Sequence, residues 1–95
     1  MIPPKKKKYP KVLHVKDEEY RVVFVDRIEG KDTLGICDPE ARVITIQNGQ
    51  TDLETMKTFV HEVLHALEFE HNLRISHKLV HKLEDAITDF LIQNF

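Results

Sequence analysis

Apolar and polar positions change their period once along the chain, near residue 50, and the change separates a β-like half from an α-like half. Before it, apolar residues come in short β-branched and aromatic runs. Residues 12–15 (Val-Leu-His-Val) read as a short strand, and Asp17-Glu18-Glu19 as a polar turn. Residues 20–25 (Tyr-Arg-Val-Val-Phe-Val) read as a longer strand, and residues 26–33, polar and containing Gly30, as a loop. Residues 34–37 and 42–47 flank Asp38-Pro39-Glu40-Ala41, where a proline directly after Asp suits a tight turn. These two arms are expected to form a β-hairpin, with Val43, Ile44, Thr45 and Ile46 as the stronger strand.

After the turn Asn48-Gly49-Gln50 the period lengthens to that of a helix. Thr51 or Asp52 supplies an N-cap, with Glu54 or Thr55 early in the first turn. The helix is expected to reach Glu70 or His71, with Asn72 as its stop. With His61 placed at zero, Leu53, Met56, Val60, Leu64 and Leu67 fall between about −60° and −140° around the axis, an apolar stripe along one side. Ser76 caps a second helix, expected from about His77 to Gln93. Val80, Leu83, Ile87, Phe90 and Leu91 share one face of it, and Lys78, Lys82, Asp89 and Gln93 lie opposite. Two helices joined by a short link pack roughly antiparallel. The expected fold class is therefore α+β: a small antiparallel or mixed β-sheet packed on two helices.

Ninety-five residues with 41 % apolar side chains make one small domain. It is expected over residues 12–95, behind a flexible basic tail at 1–11, where prolines at 3, 4 and 10 surround Lys5, Lys6, Lys7 and Lys8. A net charge of −2 argues against nucleic-acid binding by overall charge, leaving only a weak contact through that lysine tail. A single cysteine, Cys37, excludes an intramolecular disulfide, fits a reducing compartment and reads as a half-buried strand residue. No stretch is long and apolar enough to span a membrane, and the basic N-terminus lacks the apolar segment of a signal peptide. A cytoplasmic protein is expected.

Within the first helix lies His61-Glu62-Val63-Leu64-His65. Histidines four residues apart stand one above the other on a helix and can each give a ring nitrogen to one Zn2+. Glu62 adjoins the first of them, where a carboxylate can act as general base for a water held by the ion. That spacing is the zincin metallopeptidase signature, and the helical context is the one the signature requires. A third protein ligand is needed. His71 stands at the metzincin spacing from His65, but Glu68 replaces the glycine that would turn the chain out of the helix. On a continued helix His71 is about 9 Å along the axis from His65. Glu84, at the edge of the second helix's apolar stripe, is favoured, with His81 and His77 one and two turns before it as alternatives. Those two histidines also suit a supporting role, or donation to the oxyanion of a tetrahedral intermediate.

The stretch from residue 34 to residue 91, a little over half the chain, resembles the small gluzincin-type domains of the ImmA/IrrE group and related minimal phage and bacterial metallopeptidases. The residues that carry the resemblance are Leu34-Gly35-Ile36-Cys37-Asp38, the strand at 42–46, Val60-His61-Glu62-Val63-Leu64-His65-Ala66 and Leu83-Glu84-Asp85-Ala86 before Phe90-Leu91. The resemblance implies a minimal zincin fold with His61, His65 and Glu84 as zinc ligands, Glu62 as catalytic base, and a strand edge along which a peptide lies. The chain departs from the gluzincin pattern at Thr88, where many members carry an aspartate supporting a ligand histidine. SprT-like proteins use a histidine as third ligand, so that branch stays open.

The expected function is zinc-dependent hydrolysis of peptide bonds in a peptide or protein substrate, with the strand at 42–47 as the edge that pairs with it. The alternative is a non-catalytic zincin-fold binding or regulatory module that works with a partner protein. A His2Glu set also accepts divalent metals other than zinc.

Overall fold

A computed structural model describes residues 9–30 and 33–95. Residues 1–8 of the expected basic tail, with Lys5, Lys6, Lys7 and Lys8, lie outside the described residues. Four strands precede two helices: β1 (Val12–Val15), β2 (Glu18–Val25), β3 (Gly35–Asp38), β4 (Val43–Gln47), α1 (Asp52–Glu70) and α2 (His77–Asn94). The strands form one mixed sheet in the order β1-β2-β4-β3. β1 and β2 pair antiparallel, β3 and β4 pair antiparallel, and β2 and β4 pair parallel.

The start of β2 differs from that expected. The turn after β1 is Lys16-Asp17, both at positive φ (49° and 67°), the conformation that matches strand twist in a two-residue hairpin. Glu18 and Glu19, expected in a turn, therefore belong to β2 and pair with Val15 and His14. The hairpin expected between residues 34 and 47 forms, and Asp38 Oδ1 holds its turn by accepting from the backbone N–H groups of Glu40 and Ala41, each at 3.1 Å.

The strand expected to be the substrate edge is not an edge. β4 lies between β2 and β3, and β3 carries the free edge on that side. Ile44 and Ile46 of β4 are fully buried, which suits a central strand covered by a helix. Full burial of such a side chain contributes about 1.5–3 kcal/mol.

α1 is the middle layer. One side packs Ala66, with Phe59, Val63 and Leu67, onto Val15, Tyr20, Val22, Ile44 and Ile46 of the sheet. Its other side packs Met56, Val60 and Leu64 against Val80 of α2, with Leu83, Ile87 and Leu91 at the margin. Tyr9 is buried in the same cluster, its ring against Phe24 and Phe59. Phe90, expected on the buried face of α2, is 58 % exposed, and Leu53 of the α1 stripe is 45 % exposed. α2 packs chiefly on α1, so only a narrow stripe of it is covered.

Capping follows the sequence. Thr51 Oγ1 accepts from the Glu54 N–H at 3.1 Å and Glu54 Oε1 accepts from the Thr51 N–H at 3.1 Å, a complete capping box. Asn72, at φ 54°, takes the left-handed conformation that ends α1. Ser76 Oγ caps α2 by accepting from the Leu79 N–H. No helix among the described residues is long and apolar enough to cross a membrane.

Candidate metal centre

The motif sits in the middle of α1, where the helix is held on both sides, so its side chains are aimed by a rigid element. His61 and His65 are one turn apart, and their Nε2 atoms are 3.1 Å from each other. Two nitrogens that each lie 2.0–2.1 Å from one tetrahedral ion stand about 3.3 Å apart. The pair is therefore spaced as two ligands of one ion, and the alternative that satisfies both atoms is a shared proton.

The far nitrogens of both rings meet carboxylates. His65 Nδ1 is 3.1 Å from Glu68 Oε1, and the other oxygen of Glu68 accepts from the Ile75 N–H at 3.1 Å. His61 Nδ1 is 2.8 Å from Glu84 Oε1, across the helix interface. A carboxylate on Nδ1 takes that proton, fixes the ring and leaves the Nε2 lone pair free for an ion. Glu84 thus faces α1, as its place on the α2 stripe required, and touches His61 from the Nδ1 side. Glu84 Oε1 is also 3.7 Å from His81 Nδ1. His61, His81 and Glu84 each bring a ligand atom within 4.8 Å of the other two.

Glu62 is 6 % exposed. Burial raises its pKa above the ordinary carboxyl value, opposed by His61 and His65 and assisted by Glu84. β3 passes directly over it. A Cβ placed on Gly35 would lie 2.9 Å from Glu62 Oε2 and 2.6 Å from Thr58 Cγ2, so glycine permits the strand's approach to the helix. Thr33, Leu34 and Gly35 form one wall of a cleft of ≈ 280 Å³ whose other wall is Thr58, His61, Glu62 and Glu84. On the far side of the motif, a wider depression of ≈ 850 Å³ runs from Cys37 and Pro39 to His65, Glu68 and Arg74. The free edge of β3 therefore runs past the motif between two openings.

Other candidates are placed differently. His71 is exposed at the C-cap of α1, and neither it nor His65 joins the group formed by His61, His81 and Glu84 among the described residues. Cys37 is half-buried in β3, and burial, then Glu62, Asp38 and Glu70, push its thiol up to about 12, so it is a neutral thiol at pH 7. Thr88, where the resembled pattern has an aspartate, is fully buried and its Oγ1 has no hydrogen-bond partner. In the sequence reading Glu68 served only to set His71 aside and Gly35 only as part of the resembling stretch; neither was given a place in the site. The signals were present: Glu68 stands three residues after His65, and Gly35 interrupts an otherwise apolar strand.

No protein-family model matches the chain, and neither the curated proteins nor the solved structures contain a significant match to it.

Proposed function

We propose that the chain is a zinc-dependent metallopeptidase of the gluzincin type. The observation that carries the reading is the convergence of His61 and His65 through Nε2 atoms 3.1 Å apart, beside a buried Glu62. His61 and His65 would hold the ion through Nε2; Glu84, which meets His61 on Nδ1 in this structure, would become the third ligand by turning its carboxylate to the Nε2 side. Zinc, when bound, supplies a Lewis acid for the scissile carbonyl and brings the pKa of a water toward 7. Glu62 takes the proton of the attacking water and passes it to the leaving amine. Its raised pKa suits both halves of that transfer. Glu68 keeps the His65 ring in place. The free edge of β3 gives an extended peptide a strand to pair with, replacing the role expected of β4.

The test is metal content of the purified full chain beside Glu84→Ala and His71→Ala, followed by peptide hydrolysis by Glu62→Gln. One zinc per chain, lost with Glu84→Ala and kept with His71→Ala, supports the ligand set. Hydrolysis by the wild type, abolished in a Glu62→Gln protein that keeps its zinc, supports the mechanism. A wild type that takes up no zinc sinks the reading. The second reading, a binding or regulatory module without turnover, is favoured by the small size of the ≈ 280 Å³ cleft. Zinc binding with no cleavage across a peptide library decides for it.

A further inference from the structure

A second pair of histidines repeats the geometry of the first. His77 and His81 are one turn apart on α2, and their Nε2 atoms are also 3.1 Å from each other. The rings meet edge to face at 4.6 Å and 86°, against 4.7 Å and 78° for His61 and His65. Neither pair is an accident of core packing in the same sense. His61 and His65 are partly enclosed between layers, whereas His77 and His81 are exposed, where water would satisfy each imidazole separately. Folding does not require the two exposed nitrogens to converge.

Glu84 relates the two pairs. Its Oε1 lies 2.8 Å from Nδ1 of His61 and 3.7 Å from Nδ1 of His81. On His81, as on His61, the carboxylate stands on the nitrogen that faces away from the pair. At His61 that contact is a hydrogen bond, which favours the Nδ1–H form and leaves Nε2 as a lone pair, whereas at His81 the carboxylate only stands near the ring.

We propose that His77 and His81 hold a second divalent transition-metal ion at the rim of the cleft, separate from the ion of the HExxH helix. Two imidazoles select ions such as Zn2+, Ni2+ or Cu2+ over Mg2+ and Ca2+, which take oxygen ligands. Water completes the coordination. This site is the weaker of the two for stated reasons: it has two protein ligands, it is open to solvent, and it stands in the first turns of α2, where the helix dipole opposes a cation. Its ion fills only as metal rises. The proposal goes beyond the peptidase reading and does not depend on turnover.

The experiment is calorimetric titration of the metal-free full chain with Zn2+ alone, for the wild type, His77→Ala and His61→Ala, with helix content checked by circular dichroism. Two equivalents are expected in the wild type, one tight and one weak. His77→Ala, an exposed change to a good helix former, loses the weak equivalent and keeps the tight one. His61→Ala does the reverse. A single tight equivalent in the wild type, with no second one up to millimolar Zn2+, overturns the proposal. So does a weak equivalent that survives His77→Ala, since another surface histidine then holds it. Loss of the tight equivalent with His77→Ala also overturns it, because the pair then belongs to the first centre. A wild type that shows only the weak equivalent, removed by His77→Ala, upholds this site and sinks the peptidase reading instead.

Discussion

Single side chains set the chemistry, and Glu62 shows how. Its ordinary value of 4.5 is raised in the folded chain, mainly by burial. Between the unfolded and folded values the folded state binds more protons, so its stability falls as pH rises through that window. In the metal-free chain Glu62→Gln removes the buried charge. Its melting temperature is expected above that of the metal-free wild type at pH 7, with the gap closing below about pH 4. Equal melting temperatures at pH 7 would mean that water reaches the carboxylate. Glu68 belongs to the same scale. It fixes His65 through Nδ1 and ties the chain beyond α1 through the Ile75 N–H. Glu68→Ala is expected to weaken zinc binding about 10–100-fold, measured by competition with a chromophoric chelator, while Glu68→Gln recovers part of the loss. His61, Glu62 and His65 were legible because helical spacing alone brings them together. Glu68 was not read because its role depends on which nitrogen of His65 faces the site.

Elements position those residues, and the closest approach is that of β3 to α1. Gly35→Ala would set a methyl 2.6 Å from Thr58 Cγ2, and a β-branched side chain has little freedom to yield. A loss of about 1–3 kcal/mol is expected from such overpacking, measured by urea unfolding. An unchanged midpoint would show that β3 can lift from the helix. All six elements were legible from periodicity and capping residues, most firmly α1 with its Thr51 and Glu54 box. The order of the strands was not. Pairing is a long-range choice, and the two arms of a hairpin do not say which of them finds a third strand. The signal that was present is the run Val43-Ile44-Thr45-Ile46, apolar on both faces as a central strand requires, beside the shorter Gly35-Ile36-Cys37-Asp38. Placing Phe90 on the covered face of α2 also overstated its burial, since one neighbouring helix covers less than a full face.

The whole molecule is a sheet, a buried helix and an outer helix, and it is tied at the end of α1 away from the capping box. There the Tyr20 hydroxyl, fully buried, donates to Glu70 Oε2 at 2.6 Å. Arg42 reaches the same oxygen at 3.4 Å and Glu18 at 3.2 Å. Burial, then the hydrogen bond to Glu70, raise the Tyr20 pKa, so the phenol stays neutral and remains a donor. Tyr20→Phe leaves Glu70 without its donor and is expected to cost about 1–3 kcal/mol in thermal or urea unfolding. On the proposed zinc reading, metal content should not change, because the tie lies outside the residues that would hold the ion. A variant that loses metal along with stability would show that this end of the helix sets the position of His65.

The parallel pairing of β2 with β4 has a kinetic consequence. It closes a long loop through β3, whereas α1 and α2 meet across a short link. Contacts between near neighbours form early, which favours the β1–β2 and β3–β4 hairpins, while the His61–Glu84 contact and the β2–β4 pairing, both between residues more than 20 apart, form late. Both histidine pairs and Glu84 sit on the helical hairpin alone, while Glu62 is enclosed only when β3 arrives with the finished sheet. The pairing of the histidine-bearing helices and the covering of Glu62 thus rest on different long-range contacts, α2 on α1 for the first and β3 on α1 for the second. If the chain binds zinc as proposed, zinc present during refolding is expected to favour docking of α2 on α1 and to leave closure of the sheet at its own rate.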